Sequence, residues 1–151
     1  MRLTAFTDFG LRALMRLAGE PERAFSTEEI ATEFDLSRHH LTKVVRDLAE
    51  AGFVTTRRGA GGGFKLARSA SKITLGEVVR QLEQGQAIAE CFRTDGGNCI
   101  LTPRCRLKAK LAAAHAAFLR ELDKTTLAEC AYPARPRKAV SGRTDHRNTS
   151  L

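Results

Sequence analysis

The segment STEEIATEFDLSRHHLTKVVRDLAEAGFVTTRRGAGGGFKLAR, residues 26–68, predicts a winged helix. Ser26 and Glu29 form a capping box that begins a short helix, and Ser37 caps a second helix after a tight turn. Gly52 is placed to end this second helix. The runs FVTTRR and FKLAR, on either side of GAGGG, then predict a β-hairpin. Because a helix-turn-helix followed by a basic hairpin is a winged helix, the predicted fold class is mainly α.

The second of these helices has a polar face that suits DNA. Its apolar face is formed by Leu41, Val44, Val45 and Leu48, and its opposite face by Arg38, His39, His40, Thr42, Lys43 and Arg46. A recognition helix lies in the major groove, and a basic wing follows phosphates or enters a minor groove. The predicted wing contacts are Arg57, Arg58, Gly61 and Gly62. An ordinary solvated helix and hairpin that do not bind DNA would show the same pattern. The distribution of charge is therefore needed to distinguish a DNA-binding surface from a solvated one.

The positive charge is concentrated where this surface is predicted. The 151 residues carry a net charge of +8, and residues 37–72 hold eight Lys/Arg against two Asp/Glu. Residues 133–151 hold five against one, with too little apolar content to fold, so they are predicted to form a disordered basic tail. A polyanion, here double-stranded DNA, is therefore the expected partner.

Neither a secretory signal nor a membrane span is apparent in the sequence. The first residues carry arginines at regular intervals, and no apolar run reaches the ~18 residues that a membrane span needs. A cytoplasmic location without membrane association is therefore expected, and thiols stay reduced there. The chain shows no glycine-rich nucleotide loop after a strand and no catalytic dyad, so we do not expect an enzyme.

Three further helices flank the winged-helix segment. One is predicted at residues 4–18, and TLGE, residues 74–77, begins another with a capping box. A long helix is predicted from the N-cap Thr102, with Pro103 at its first position, to about Asp123. Its apolar stripe consists of Leu107, Leu111, Ala114, Phe118 and Leu122. These apolar side chains are expected to be buried against another element, which is either the first helix of the same chain or a second chain in a symmetric dimer.

Three cysteines lie in the polar, glycine-rich stretch ECFRTDGGNCILTPRCRLK, residues 90–108. Cys91, Cys99 and Cys105 lack the CxxC spacing of zinc knuckles, and a disulfide is unusual in a reducing compartment. Thiolates also bind iron–sulfur clusters, normally four per cluster. Cys105 is expected in the first turn of the long helix, where the helix dipole stabilises a thiolate. Cys130 is interpreted as a partly buried packing residue, which leaves the fourth iron position to another ligand or open to small diatomic molecules.

The sequence resembles the Rrf-type winged-helix iron–sulfur regulators, and within them a nitric-oxide-sensing branch. The matching stretches are MRLTAFTDFGLRALMRLA, RRGAGGGFKLAR, ITLGEVVRQLE and CILTPRCRLKAKLAAAHAAFLRELDKTTLAE, all within residues 1–132. The resemblance implies a homodimer with a long C-terminal dimerisation helix and one iron–sulfur cluster per protomer. In the matching branch this cluster is of the 4Fe–4S type, and 2Fe–2S is the alternative. It is bound by three cysteines and by an aspartate of the other protomer, whose position here is Asp8 in FTDFG.

The predicted organisation is a DNA-binding domain at 1–72, a cluster-binding loop and dimerisation helix at 73–132, and a tail at 133–151. The predicted function is that of a repressor, which binds its operator while the cluster is intact and releases it when nitric oxide attacks the iron. Two alternatives remain. AECF before the loop also resembles an iron-responsive branch of the family, and the chain could instead be an iron–sulfur carrier or redox protein with a basic docking surface.

Overall fold

The computed structural model describes residues 2–133, which form five α-helices and one two-stranded antiparallel sheet together with short 3₁₀ turns. In chain order these elements are α1 (Ala5–Gly19), α2 (Thr27–Phe34), α3 (Arg38–Glu50), β1 (Val54–Arg57), β2 (Gly63–Leu66), α4 (Leu75–Leu82) and α5 (Arg106–Leu122). The predicted winged helix is confirmed by α2, α3 and the β1–β2 hairpin. Residues 134–151 of the predicted tail lie outside the described part of the chain. No described helix is long and apolar enough to cross a membrane.

Side-chain caps fix the starts of the first four helices. In each, a hydroxyl oxygen accepts a hydrogen bond over 3.1–3.4 Å from the backbone N–H three residues later. The caps are Thr4 and the predicted residues Ser26, Ser37 and Thr74. Each cap satisfies one of the N–H groups that a helix start leaves without a partner, so these boundaries follow from local sequence.

The core is built around α1, which packs against both α3 and α4. Leu14 and Leu17 of α1 and Leu41 and Leu48 of α3 are fully buried. The three helices meet at Gly10, where an added Cβ would lie only 2.4 Å from Leu82 Cδ1 of α4 and 3.3 Å from Val44 Cγ1 of α3. A side chain at this position would therefore displace the side chain of Leu82.

The hairpin is attached to the helices through a residue that the sequence pattern did not indicate. β1 pairs with β2 in a register that places Val54 opposite Leu66 and Arg57 opposite Gly63. Phe25, just before α2, adds a bridge to Phe64 of β2 with backbone hydrogen bonds of 2.9 and 2.8 Å. Both phenyl rings are buried, so the base of the wing is anchored in the core.

The segment after α5 returns to the start of α4 and completes the core. Leu127 is fully buried, and its N–H donates to the carbonyl oxygen of Ile73 over 2.8 Å. The Arg80 guanidinium on α4 donates to the carboxylate of Asp123, with 2.7 Å to its Oδ1 atom. The 47 residues between Gly76 and Lys124 therefore begin and end at one junction, where Gly76 has no room for a side chain.

The start of α5 corrects the sequence prediction. Thr102–Arg104 forms a separate 3₁₀ turn, and Cys105 has the extended backbone conformation φ −79°, ψ 108°, so α5 begins at Arg106. Thr102 does not cap α5, and Cys105 lies at the N-cap position instead of within the first turn. The reason is the extended backbone of Cys105, which cannot continue a helix.

The predicted apolar stripe of α5 is only partly covered in the described chain, since Leu111, Phe118 and Leu122 are half-buried. No residue of Arg106–Leu122 is buried, and Leu107 is 61% exposed. Ile100 and Leu101, in the turn before α5, are 91% and 64% exposed. The stripe was expected to be buried either by α1 of the same chain or by a second chain, and α1 does not bury it.

Candidate functional site

The polar face of α3 is presented to solvent because its other face is held in the core. Leu41, Val44, Val45 and Leu48 are buried, as the sequence predicts. The six residues predicted to face DNA are all exposed: Arg38, His39, His40, Thr42, Lys43 and Arg46. The N-terminal end of the helix, fixed by the Ser37 cap, therefore carries an arginine and two imidazoles that are accessible together.

Several of these side chains already have partners within the chain. Arg38 forms a salt bridge of 2.9 Å with Glu28 of α2, and their side chains are 71% and 61% exposed. The Thr42 hydroxyl donates to the carbonyl oxygen of Arg38 over 2.9 Å, while Arg46 lies 3.8 Å from Glu50. Among residues 2–133, Lys43 forms no salt bridge. Exposed ion pairs contribute only about 0–1 kcal/mol, so a phosphate or a base edge can replace these carboxylates.

The tip of the wing depends on glycine. Gly59 and Gly61 have φ values of 94° and 71°, in the left-handed region that favours glycine. Gly62 has no room for a side chain, because an added Cβ would lie 2.4 Å from the carbonyl oxygen of Arg57. This compact tip leaves Arg57 and Arg58 exposed on the hairpin, where they can approach a nucleic-acid backbone.

The three cysteines lie at successive positions along one loop between α4 and α5. Cys91 is in a 3₁₀ turn, Glu90–Phe92, and Cys99 is in irregular backbone. Cys105 immediately precedes α5. All three are free thiols and half-buried, as is Cys130, which lies apart from them in the turn Leu127–Cys130.

Polar contacts shape the first part of this cysteine loop. Arg93 pairs with Asp95 over 2.6 Å, and Asp95 also accepts from the N–H of Gly97. These bonds, with that of Arg93 the strongest, hold the pKa of Asp95 below its ordinary value. Glu90 accepts from the N–H of Asn98 over 3.1 Å, which closes the loop between Cys91 and Cys99.

The single chain does not bring the predicted ligands together. Across residues 2–133, no three His, Cys, Asp or Glu side chains lie close enough to hold a metal ion. Three soft thiol donors nevertheless suit an iron–sulfur cluster. The loop also holds a buried hydroxyl oxygen, that of Thr102, without a hydrogen-bond partner in the described residues. The donor set and this unsatisfied polar atom fit a polar inorganic group bound in the loop.

Asp8 is held on its own helix. Its carboxylate pairs with Arg12 over 2.8 Å, and both side chains are about half exposed, at 46% and 45%. The pair lies in the first turns of α1 and is accessible to a second molecule. Arg12 is therefore the residue that competes with any external group for Asp8.

The start of α1 is also fixed from a distant element. Glu83, at the end of α4, accepts hydrogen bonds of 2.9 Å from the N–H and the hydroxyl of Thr4, and a further one from the Thr7 hydroxyl. Burial alone would raise the pKa of Glu83, but these bonds outweigh it and lower the pKa. Glu83 thus joins the first turn of α1 to the helix that leads into the cysteine loop.

Comparison with known proteins gives a consistent family match. The Rrf2 family model, described as an iron-dependent transcriptional regulator, matches residues 3–132. The HTH-type transcriptional regulator NsrR of Geobacillus kaustophilus (strain HTA426) is 42% identical over 130 residues, which are 85% of this chain and 88% of the relative. NsrR of Halalkalibacterium halodurans is 41% identical over 128 residues, 84% of this chain and 88% of the relative.

Solved structures show the same fold. The oxidized form of CymR from Staphylococcus aureus has a TM-score of 0.67 and 26% identity, covering 90% of this chain and all of its own. IscR from T. potens has a TM-score of 0.68 and 26% identity, covering 85% of each chain. Sequence and structure are thus similar to regulators of transcription along almost the whole described chain.

Proposed function

Because the chain belongs to the Rrf2 family of transcriptional regulators, we propose that it is a homodimeric repressor that senses nitric oxide through an iron–sulfur cluster. The prediction of a DNA-binding regulator is confirmed by the family match and by the relatives named NsrR. NsrR is the nitric-oxide-sensing branch that the sequence resembles. The dimer, the cluster and its signal are the parts that the proposal adds.

The observation that carries the proposal is the contact of three helices at Gly10. At this point α1, whose first turn carries Asp8, touches α3, which presents the DNA-facing residues, and α4, which leads to the cysteines. An added Cβ at Gly10 would meet both neighbours, so the helices are in close contact there. Because closely packed cores transmit small shifts, a change at Asp8 or in the cysteine loop also displaces α3.

The cluster would be held by Cys91, Cys99 and Cys105 of one protomer and by Asp8 of the other. An iron–sulfur cluster supplies iron atoms that react with nitric oxide. A carboxylate is a harder and weaker ligand for such iron than a thiolate, so the position of Asp8 is the one most readily lost. Once released, Asp8 would pair with Arg12, as it does in the single chain.

Exposed apolar side chains at the start of α5 and just before it support the homodimer. Leu107 and the preceding Ile100 and Leu101 are large apolar side chains with exposures of 61–91%. A second copy packed on α5 would remove this surface from water and place two α3 helices on one DNA duplex. Symmetric dimers read half-sites about 34–36 Å apart, which matches a repeated major groove.

The test is DNA binding by anaerobically purified protein, in cluster-loaded and cluster-free forms. We expect the loaded form to shift an operator fragment, and we expect nitric oxide to weaken binding by about 10- to 100-fold, which corresponds to a coupling free energy of about 1.4–2.7 kcal/mol. Binding that is the same in both forms would contradict the proposal and favour an iron–sulfur carrier.

The description of the family as iron-dependent favours one second candidate, an iron-responsive regulator. The two signals are separated by treating the loaded protein with an iron chelator and with nitric oxide in parallel. Release of DNA by the chelator, with no release by stoichiometric nitric oxide, would assign iron as the signal. Release by nitric oxide before any iron leaves the protein supports the first candidate.

A further inference from the structure

The hydroxyl oxygen of Thr102 is buried but has no hydrogen-bond partner among residues 2–133. The backbone N–H of the same residue is satisfied, because it donates to the carbonyl oxygen of Cys99 over 3.2 Å. In the described chain, the only other buried side-chain nitrogen or oxygen without a hydrogen-bond partner is Nη1 of Arg16. The other side-chain nitrogens of Arg16 donate to Glu20 and Glu33. A buried hydroxyl that has lost water without gaining a partner is unfavourable, so its presence requires a reason.

The position of Thr102 indicates where a partner would be. It lies three residues after Cys99 and three before Cys105, at the start of the turn that joins these two thiols. Just before this turn the apolar side chain of Leu101 is 64% exposed, whereas the hydroxyl of Thr102 is covered. The usual arrangement of apolar atoms inside and polar atoms outside is therefore reversed at this turn.

We propose that the Thr102 hydroxyl donates a hydrogen bond to a sulfur atom of the iron–sulfur cluster, either a sulfide or the thiolate of Cys99 or Cys105. This inference rests on the proposed function, because it requires a cluster bound by the cysteine loop. Cluster sulfur carries negative charge and accepts hydrogen bonds, which raise the reduction potential and help to retain the metal. Thr102 is then a positioning residue and not a ligand.

The substitution that tests this is Thr102→Val, which keeps the shape of the side chain and removes the donor. In the cluster-free protein the change removes an unsatisfied polar atom, so the thermal midpoint should stay the same or rise by about 2–4 °C. In the loaded protein we expect iron release to a chelator to become about 10- to 100-fold faster. The reduction potential should also fall, since the hydrogen bond stabilises the more negative reduced cluster.

Two controls separate this role from a general effect on the loop. Thr102→Ser keeps the hydroxyl and should restore the wild-type potential and most of the wild-type retention of iron. Thr94→Val makes the same chemical change at an exposed position of the same loop, and it should alter neither quantity.

Each outcome decides the matter. A lower thermal midpoint of cluster-free Thr102→Val would show that the hydroxyl has a protein partner, in this chain or in a second protomer, and would overturn the inference. A loaded Thr102→Val protein with wild-type potential and iron release would overturn it as well, with the proposed function intact. A wild-type chain that takes up no cluster would remove the proposed function and this inference together.

Discussion

Glu83 is predicted to stabilise the fold by joining α4 to the first turn of α1. One carboxylate oxygen accepts from the Thr4 N–H and hydroxyl and from the hydroxyl of Thr7, which is fully buried. A hydrogen bond to a charged group contributes about 1.5–3 kcal/mol. In Glu83→Ala the two threonine hydroxyls keep their mutual contact of 3.1 Å, and the carboxylate is partly exposed. The expected loss in the free energy of unfolding is therefore about 2–3 kcal/mol, below the sum of three such bonds.

The assay is urea unfolding of cluster-free protein followed by circular dichroism at fixed protein concentration. Glu83→Gln keeps an oxygen acceptor and loses the negative charge at the start of α1, so we expect a loss of only about 0.3–1 kcal/mol. The matched control is Glu121→Ala. Glu121 forms only an exposed pair with Lys124, with side chains 72% and 70% exposed, and its loss should cost less than about 0.5 kcal/mol.

The pH dependence gives an independent check. The pKa of Glu83 is lowered from its ordinary value of 4.5, so between the two pKa values the unfolded chain binds a proton that the folded chain does not. The contribution of Glu83 is thus fully present above pH 4.5 and is lost as the pH falls through the lower folded pKa. In Glu83→Ala this part of the acid destabilisation should be absent. A Glu83→Ala protein as stable as Glu121→Ala, with unchanged acid sensitivity, would refute the reasoning.

The remaining predictions concern the two proposed sites and one helix junction. Cys91→Ala should abolish the visible absorbance of the cluster in anaerobically purified protein, whereas Cys130→Ala should keep most of it; equal bleaching would make Cys130 a ligand. Arg38→Ala should relax operator specificity at a cost of about 1–3 kcal/mol, and Arg58→Ala should lower the salt slope of binding by about one, both measured by titration at several salt concentrations. Gly76→Ala should lower stability by about 1–3 kcal/mol in urea unfolding, because the added Cβ would lie 2.1 Å from Asp123 Oδ1; a neutral effect would mean that α4 and α5 separate easily.

The sequence predicted those parts of the fold that depend on neighbouring residues. The caps Ser26, Ser37 and Thr74 lie at the expected positions because each bonds to an N–H only three residues away. The start of α5 was predicted wrongly, because a Thr-Pro pair also begins a short 3₁₀ turn, and the extended backbone of Cys105 then separates that turn from α5.

Contacts between residues that are distant in the sequence could not be predicted from the residues around them. The bridge of Phe25 to Phe64, the salt bridge of Glu28 to Arg38 and the bonds of Glu83 depend on how whole elements pack. The proposed DNA residues and the three cysteines could be selected by residue type and spacing, whereas Asp8 was selected only through the resemblance to the family. Their contacts stay predictions, because they involve DNA, a cluster or a second protomer.

The closure of the core by Leu127 has a consequence for synthesis on the ribosome. Leu127 fills a fully buried position beside Ile73, and the chain between them contains Cys91, Cys99 and Cys105. All three thiols are therefore translated before the last side chain of the described core is available. Until then the α4–α5 junction is incomplete and the ends of the cysteine loop are not held at a fixed distance. We therefore expect insertion of the proposed cluster to follow the docking of the segment around Leu127, late in the maturation of each chain.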